Sequence, residues 1–278
     1  MELFPSLSTR TWPKNGSSGH SPEGIAKKKM KLFIRWPTNS GVDYGITRWI
    51  AWASRTFIDA DMGPQYSAGL GVAEARNDMS QAFMGSDCTH LWMVDADVIP
   101  PKNTALVEAA QTHPVVCGPY NGFHVDEGVL WHVYEHTRTD ATGKPLYRSL
   151  YPHRWPEGKK TFKVDAAGTG NMIIQRKVFD RLPERPFKHT VYSDGMFGGE
   201  DFGFCQDVGG VHVNVDSISR HIRDCDLLDI WNWAERRTQA AIDITRVQLG
   251  ASNGRTNADN VHQADRTQGD HNLERAMV

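Results

Sequence analysis

The sequence predicts an α/β protein: a mixed, mainly parallel central sheet flanked by helices, with a small antiparallel sheet beside it. Three observations predict it. Apolar runs short enough for buried strands alternate with segments of helical period through the first half of the chain. The second half changes to period-two alternation broken by a glycine-containing turn. And the strand-like "LWMV" ends in "DADVIPP", placing two carboxylates beyond the carboxyl end of a strand, where ligands of open α/β sheets gather.

The elements follow in order. "KLFIRWP", Lys31 to Pro37, reads as a first buried strand, stopped by a proline with no N–H for a ladder. In "ITRWIAWASRTF", Ile46, Trp49, Ile50 and Ala53 recur at helical spacing, so the strand feeds a helix. "VAEARNDMSQAFMG", Val72 to Gly85, gathers Ala75, Met79, Ala82 and Phe83 on one helical face and closes at a glycine. "LWMV" is the next strand, Asn103 to His113 another helix, and "PVVCGPY" the strand after it. "GVLWHVYEHT" and "PLYRSLY" alternate as antiparallel strands around a turn at Asp140 to Lys144. "FKVDAAGTGNMIIQRKVFDRL" reads as strand, glycine turn, strand and a helix around Lys177 to Leu182. "GGEDFGFCQDVGG" is a glycine-preceded helix, and "VHVNVDSISRHI" a final alternating strand.

Composition bounds the class. The chain has 278 residues, 39% hydrophobic and 23% charged, enough to bury one large core or two small ones. Its formal net charge of -2 gives no global positive field to recruit nucleic acid or an anionic membrane. No apolar run approaches the roughly 20 residues that cross a bilayer. Cys88, Cys117, Cys205 and Cys225 are widely spaced with no CxxC, which fits reduced thiols and a cytoplasmic setting. Residues 1–30 mix Pro, Gly, Ser and Lys without period and read as a flexible arm. Residues 250–278 read as a polar tail, leaving one domain over residues 31–249. The run "KKKMK" is a solvated stretch beside a strand or a phosphate-binding patch.

The dyad is the chemical signal. In an extended segment Asp95 and Asp97 point to one side and Ala96 to the other. Two like charges held together raise one pKa or call for a cation. Carboxylate oxygens favour Mg²⁺ or Mn²⁺, ions that keep water and phosphate oxygens in their shells. A solvated turn, with either Asp capping the next helix, explains the dyad alone equally well.

Its company points to metal binding. "ARNDMSQAFMGSDCTHLWMVDADVIPP", then "VVCGPY", then "GTGNMIIQRKVFDRL", then "GGEDFGFCQD" resemble, in that order, the nucleotide-sugar glycosyltransferases of the GT-A fold, in particular the family-two-like group. The resemblance spans roughly residues 31–222. It implies a GT-A, Rossmann-like sheet and metal-dependent transfer of a sugar, with inversion, from a nucleotide-diphosphate sugar such as a UDP-sugar to a hydroxyl acceptor. By the match, Asp97 binds the metal directly and Asp95 contacts the ribose or the metal through water. Arg76 and Asn77 match positions near the nucleotide. His221 matches a histidine that completes the metal shell, and imidazole favours Mn²⁺ over Mg²⁺. Asp201 matches the base that takes the acceptor proton, with Glu200 beside it as a further acceptor-side carboxylate. Gly168, Thr169 and Gly170 match a wall bordering the donor sugar, and Asp165 just upstream stands where a sugar hydroxyl could bind. Trp131 and Trp155 are candidates for stacking an acceptor, and Tyr120, Asn121 and His124 for the rim.

Two rivals share parts of the pattern. Haloacid-dehalogenase-type phosphohydrolases also end a strand in Asp-x-Asp and bind Mg²⁺, with the first Asp as nucleophile. Here Ile99 and two prolines stand where that motif carries Thr or Val, and a strand and two helices precede it. The other rival is a catalytically inactive sugar-nucleotide-binding module. The acceptor, whether saccharide, protein, small molecule or a modified DNA base, is not encoded in any residue pattern of the chain.

Overall fold

The computed structural model describes residues 29–38, 44–66, 70–124, 128–191, 197–222 and 227–253. In chain order, β1 (Leu32–Thr38) leads through α1 (Tyr44–Thr56) to β2 (Asp61–Tyr66), and α2 (Val72–Met84) leads to β3 (His90–Val94). A two-residue β4 (Val98–Ile99), α3 (Ala105–Ala110) and β5 (Val115–Cys117) follow. Then come β6 (Asn121–His124), β7 (Gly128–Trp131), β8 (Val133–Thr139), β9 (Pro145–Ser149), β10 (Thr161–Val164), β11 (Ala166–Ala167) and β12 (Asn171–Gln175). The last third holds α4 (Arg176–Phe179), β13 (Thr190–Val191), β14 (Phe197–Gly198), α5 (Glu200–Asp207), β15 (Val211–Asn214), β16 (Arg220–His221) and α6 (Leu227–Asn253).

Seven strands form the central sheet in the order β10-β15-β5-β12-β3-β1-β2. β3, β1 and β2 are mutually parallel and β15 is parallel to β5, whereas β12 runs against both β3 and β5 and β10 against β15. The sheet is therefore mixed, with five strands running one way. The expected small antiparallel sheet is present as β11-β8-β9.

The continuous apolar runs of the central strands follow from burial on both faces. Along β3, Leu91 and Met93 face one core cluster while Trp92 and Val94 face the other. β12 divides likewise, Met172 and Ile174 against Ile173. The first cluster is closed by Met79 and Phe83 of α2 and Phe204 of α5, the second by Ile46 and Trp49 of α1 and Leu106 of α3. Trp49 meets Trp92 edge-on at 5.2 Å, a geometry that contributes about 0.5–1.5 kcal/mol beyond burial.

Several expectations are revised. β2, in "DMGPQY", was not expected: Gly63 and Pro64 mask a strand tolerated because it lies at the sheet edge, paired only with β1. β1 runs through Pro37 to Thr38 for the same reason, since that end borders only β2. The helix expected over residues 103–113 shortens to Ala105–Ala110. Between the dyad and the two prolines, Val98 and Ile99 form a further short strand that pairs with His221 and Arg220. α6 continues to Asn253, past the start of the expected polar tail. The arm over residues 1–28 and the rest of the tail lie outside the described residues, as does Cys225. Lys29 and Lys31, at the end of the basic run, pair with Asp59 and Asp87, each at 2.6 Å. Cys88, Cys117 and Cys205 are buried free thiols. Among the described residues no helix is long and apolar enough to cross a membrane.

Candidate functional site

The site lies at the carboxyl edge of the sheet. β3 delivers Asp95 there, and because β12 runs the other way its entry, Gly168 to Asn171, reaches the same edge, with Asn171 paired to Val94. The dyad is not extended. The Val98 N–H donates to the Asp95 carbonyl at 3.1 Å, closing a tight turn, so the period-two expectation of two carboxylates on one side does not hold. They diverge to different partners.

Asp95 turns toward α2. Arg76 Nη2 donates to both Asp95 oxygens at 2.9 Å, and Arg76 Nη1 donates to Glu200 Oε1. Arg76 is only 4% exposed, so it is a buried cation between two carboxylates. Burial opposes its charge, but Asp95 and Glu200 outweigh that and hold its pKa above the ordinary guanidinium value. Removing one partner of such a group costs about 3–5 kcal/mol, because the other charge is left unpaired in the interior. Asn77, the neighbouring expected nucleotide contact, is also buried: its amide donates to the Phe187 carbonyl at 2.7 Å and accepts the Phe187 N–H at 3.0 Å. Both side chains thus work inside the fold.

Asp97 turns the other way. Its Oδ2 stands 3.4 Å from His221 Nε2, and the Ile222 N–H donates to its carbonyl at 2.7 Å. The His221 Nδ1 bonds the Asn121 carbonyl at 2.8 Å. A carbonyl accepts only, so Nδ1 donates to Asn121 and the ring is held with Nε2 facing Asp97. Metal-ligating histidines are oriented in the same way, by passing their other N–H to a carbonyl or carboxylate. Among the described residues no three His, Cys, Asp or Glu side chains form a ready metal cluster. The Asp97–His221 pair nevertheless fits a Mn²⁺ or Mg²⁺ completed by water and phosphate oxygens, and Asp97 is 42% exposed to admit them. Asp95, committed to Arg76, stands apart from that pair.

α5 follows Gly199 and presents Glu200 and Asp201 in its first turn. Asp201 Oδ1 accepts the Phe202 N–H at 2.9 Å. Burial, then the Glu200 charge, push the Asp201 carboxyl up to about 6.

The glycine segment is tight for a definite reason. A Cβ at Gly168 would lie 2.3 Å from the Tyr120 hydroxyl, and one at Gly170 would lie 2.8 Å from Asp95 Oδ2 and 2.9 Å from that hydroxyl. Close approach, rather than positive φ, excludes side chains here. Thr169 is 1% exposed, and its hydroxyl has no hydrogen-bond partner among the described residues. Asp165 accepts the His136 N–H at 2.7 Å and so serves β8. Trp131 and Trp155 meet edge-on at 5.1 Å, and the Trp155 N–H donates to the Leu150 carbonyl, so both are engaged in packing.

Two organisers stand out: Tyr120, expected only at the rim, and Asn171, which escaped sequence reasoning. Tyr120, buried, accepts the Gly170 N–H at 3.2 Å, and its ring lies 5.1 Å from His221 and 4.8 Å from His132. Asn171, fully buried, accepts from Trp92 Nε1 and donates to Ser219 Oγ, both at 2.8 Å, tying the approach to His221 onto β3. A lone Asn opening the apolar run "NMIIQ" was the available signal.

Fold and site together define an α/β protein that gathers carboxylates, an arginine and imidazoles at the carboxyl edge of a mixed sheet. No protein-family model matches the chain, and no curated protein matches it. Among solved structures it is similar to A197 from STIV, with 19% identity over 70% of this chain and 87% of that one, at a TM-score of 0.48. It is also similar to a UDP-glucose pyrophosphorylase complexed with UDP-glucose, with 8% identity over 76% and 99% of the two chains and a TM-score of 0.39. A third is the inositol-1-phosphate CTP transferase from T. maritima, at 11% identity, coverage of 73% and 76%, and a TM-score of 0.33.

Proposed function

We propose that the chain is a metal-dependent glycosyltransferase that moves a sugar from a nucleotide-diphosphate sugar to a hydroxyl acceptor, with inversion. The observation that carries the reading is the Asp97–His221 pair, whose imidazole is fixed with Nε2 toward the carboxylate. Asp97 and His221 would hold Mn²⁺ or Mg²⁺, which supplies charge neutralisation on the departing diphosphate. Arg76, with Asp95 and Glu200, forms the rigid floor on which the dyad turn rests.

Asp201 is the base. With a pKa near 6 it is ionised at neutral pH yet basic enough to accept a proton. Its carboxylate takes the acceptor hydroxyl proton while that oxygen bonds to the anomeric carbon. The bond from that carbon to the diphosphate oxygen breaks on the opposite face, and its electron pair leaves with the nucleotide. Glu200, tied to Arg76, keeps a negative charge beside Asp201 and so holds its pKa up.

The test is a panel of nucleotide sugars assayed for nucleoside diphosphate release and, by mass spectrometry, for glycosylated saccharide, protein and modified-DNA acceptors. Activity is expected to disappear with EDTA, to return with Mn²⁺, and to fall at least about a hundredfold in Asp97→Ala and Asp201→Asn. Undiminished turnover in both variants overturns the assignment. Release of free phosphate, or formation of a nucleotide sugar from a nucleoside triphosphate and a sugar phosphate, replaces it with a different reaction.

A further inference from the structure

The opposite edge of the sheet carries a second feature, unrelated to the site above. A cleft of about 430 Å³ opens where β5 and β15 begin and β12 and β10 end. A strand of five residues, about 16 Å at 3.3 Å each, separates this edge from the dyad. Lys163, Lys177 and Arg181 line it, with His212 at its side and Val178, Leu182 and Val208 as apolar wall. None of the three cations makes a side-chain hydrogen bond or ion pair with a described residue. The carboxylate in the lining, Asp207, stands 3.5 Å from Lys188, which already offsets it.

The positive field is felt by the neighbours. Burial first, then the adjacent His113 ring and Lys163, lower the His212 pKa. His113 and His212 stack at 4.0 Å, so the two rings stand together beside the cleft. The backbone places Lys163: Gly210 has φ +88°, and a Cβ there would lie 2.6 Å from the Val164 carbonyl and 3.1 Å from Lys163 Cε. The turn at Gly209 and Gly210 therefore lets the lysine stem lie flat across the cleft's edge. Three unpaired cations around a concave, partly apolar cleft form a receptor for concentrated negative charge.

We propose that this cleft is a binding site for a small molecule carrying two or more phosphate charges, distinct from the site at the carboxyl edge. Lys163, Lys177 and Arg181 supply the charge, and the His212 ring borders the cleft beside them.

Inorganic pyrophosphate, titrated calorimetrically into the whole chain without divalent metal, tests it. Saturable binding at about 1 mM or tighter is expected, weakened at least about tenfold in Lys177→Glu/Arg181→Glu and kept in Asp97→Ala/His221→Ala. The His113 and His212 ring resonances should move on titration, and Lys177→Arg/Arg181→Lys should retain binding. Absence of saturable binding, or indifference to the charge reversals, overturns the proposal. So does loss of binding in Asp97→Ala/His221→Ala, which places the anion at the carboxyl edge and leaves the proposed transferase reading untouched.

Discussion

Asp201 shows how a single residue acquires chemistry from its place. Its sequence context, "GGED", marks an acidic helix start and nothing about basicity. The raised pKa arises because α5 buries the carboxyl beside Glu200, a relation only the fold supplies. In the fold Asp201 titrates near 6, against an ordinary value of 3.8. Its protonated form is favoured by folding, so its contribution to stability is present below about 4 and is lost as pH rises through about 6. Catalysis needs the ionised form, so kcat/KM is expected to fall tenfold per pH unit below about 6. A profile flat down to pH 5 would exclude Asp201 as the base. The same limit applies to the dyad: the identities of Asp95 and Asp97 were legible, but their divergence was not. It comes from the turn closed by Val98 and from Arg76, nineteen positions before Asp95, meeting it across the helix–strand packing.

Among the elements, those with strong period were read closely: α2, β3, β5 and β12 sit where apolar spacing put them. β2 and β4 were invisible because each is held by partners rather than by its own pattern, and the strand expected over "VHVNVDSISRHI" is broken into β15 and β16. The β6–β7 hairpin matters most for the site, since the Asn121 carbonyl in β6 holds the orientation of the His221 ring. α6 grips that hairpin. The Trp233 indole covers Gly128, where a Cβ would lie 2.1 Å from the ring and φ is +80°, and it meets Phe123 edge-on at 5.9 Å. Gly128→Val is therefore expected to push Trp233 away and loosen Asn121. Mn²⁺ affinity, read from paramagnetic broadening of the His221 ring signals, should weaken about three- to tenfold, alongside about 1–2 kcal/mol of stability lost to the left-handed backbone at that position. Unchanged broadening would show that the hairpin holds Asn121 without help from α6.

At the scale of the molecule, the fold class was legible because alternating apolar and amphipathic segments leave few solutions, but the strand order was not. β12 lies between β3 and β5, far from both in sequence, and no local pattern announces an antiparallel strand inserted at the centre. A chain ending before residue 171 lacks that insert. It is expected to bind a hydrophobic dye strongly and to aggregate, whereas a chain extended through residue 222 should not; a soluble, dye-silent fragment 29–170 would refute this.

That central insertion also sets the order of events at the ribosome. β1, β2 and β3 can join as soon as they emerge, but the far edge of β3, "LWMV", then waits for a partner translated about 80 residues later, roughly 4–16 s at 5–20 residues per second. For that interval the nascent chain displays an apolar half-sheet with an unpaired edge, the kind of surface chaperones cover. The strand that brings Gly170 beside Asp95 therefore also ends the chain's most aggregation-prone interval, so the candidate site and the end of that vulnerability arrive together.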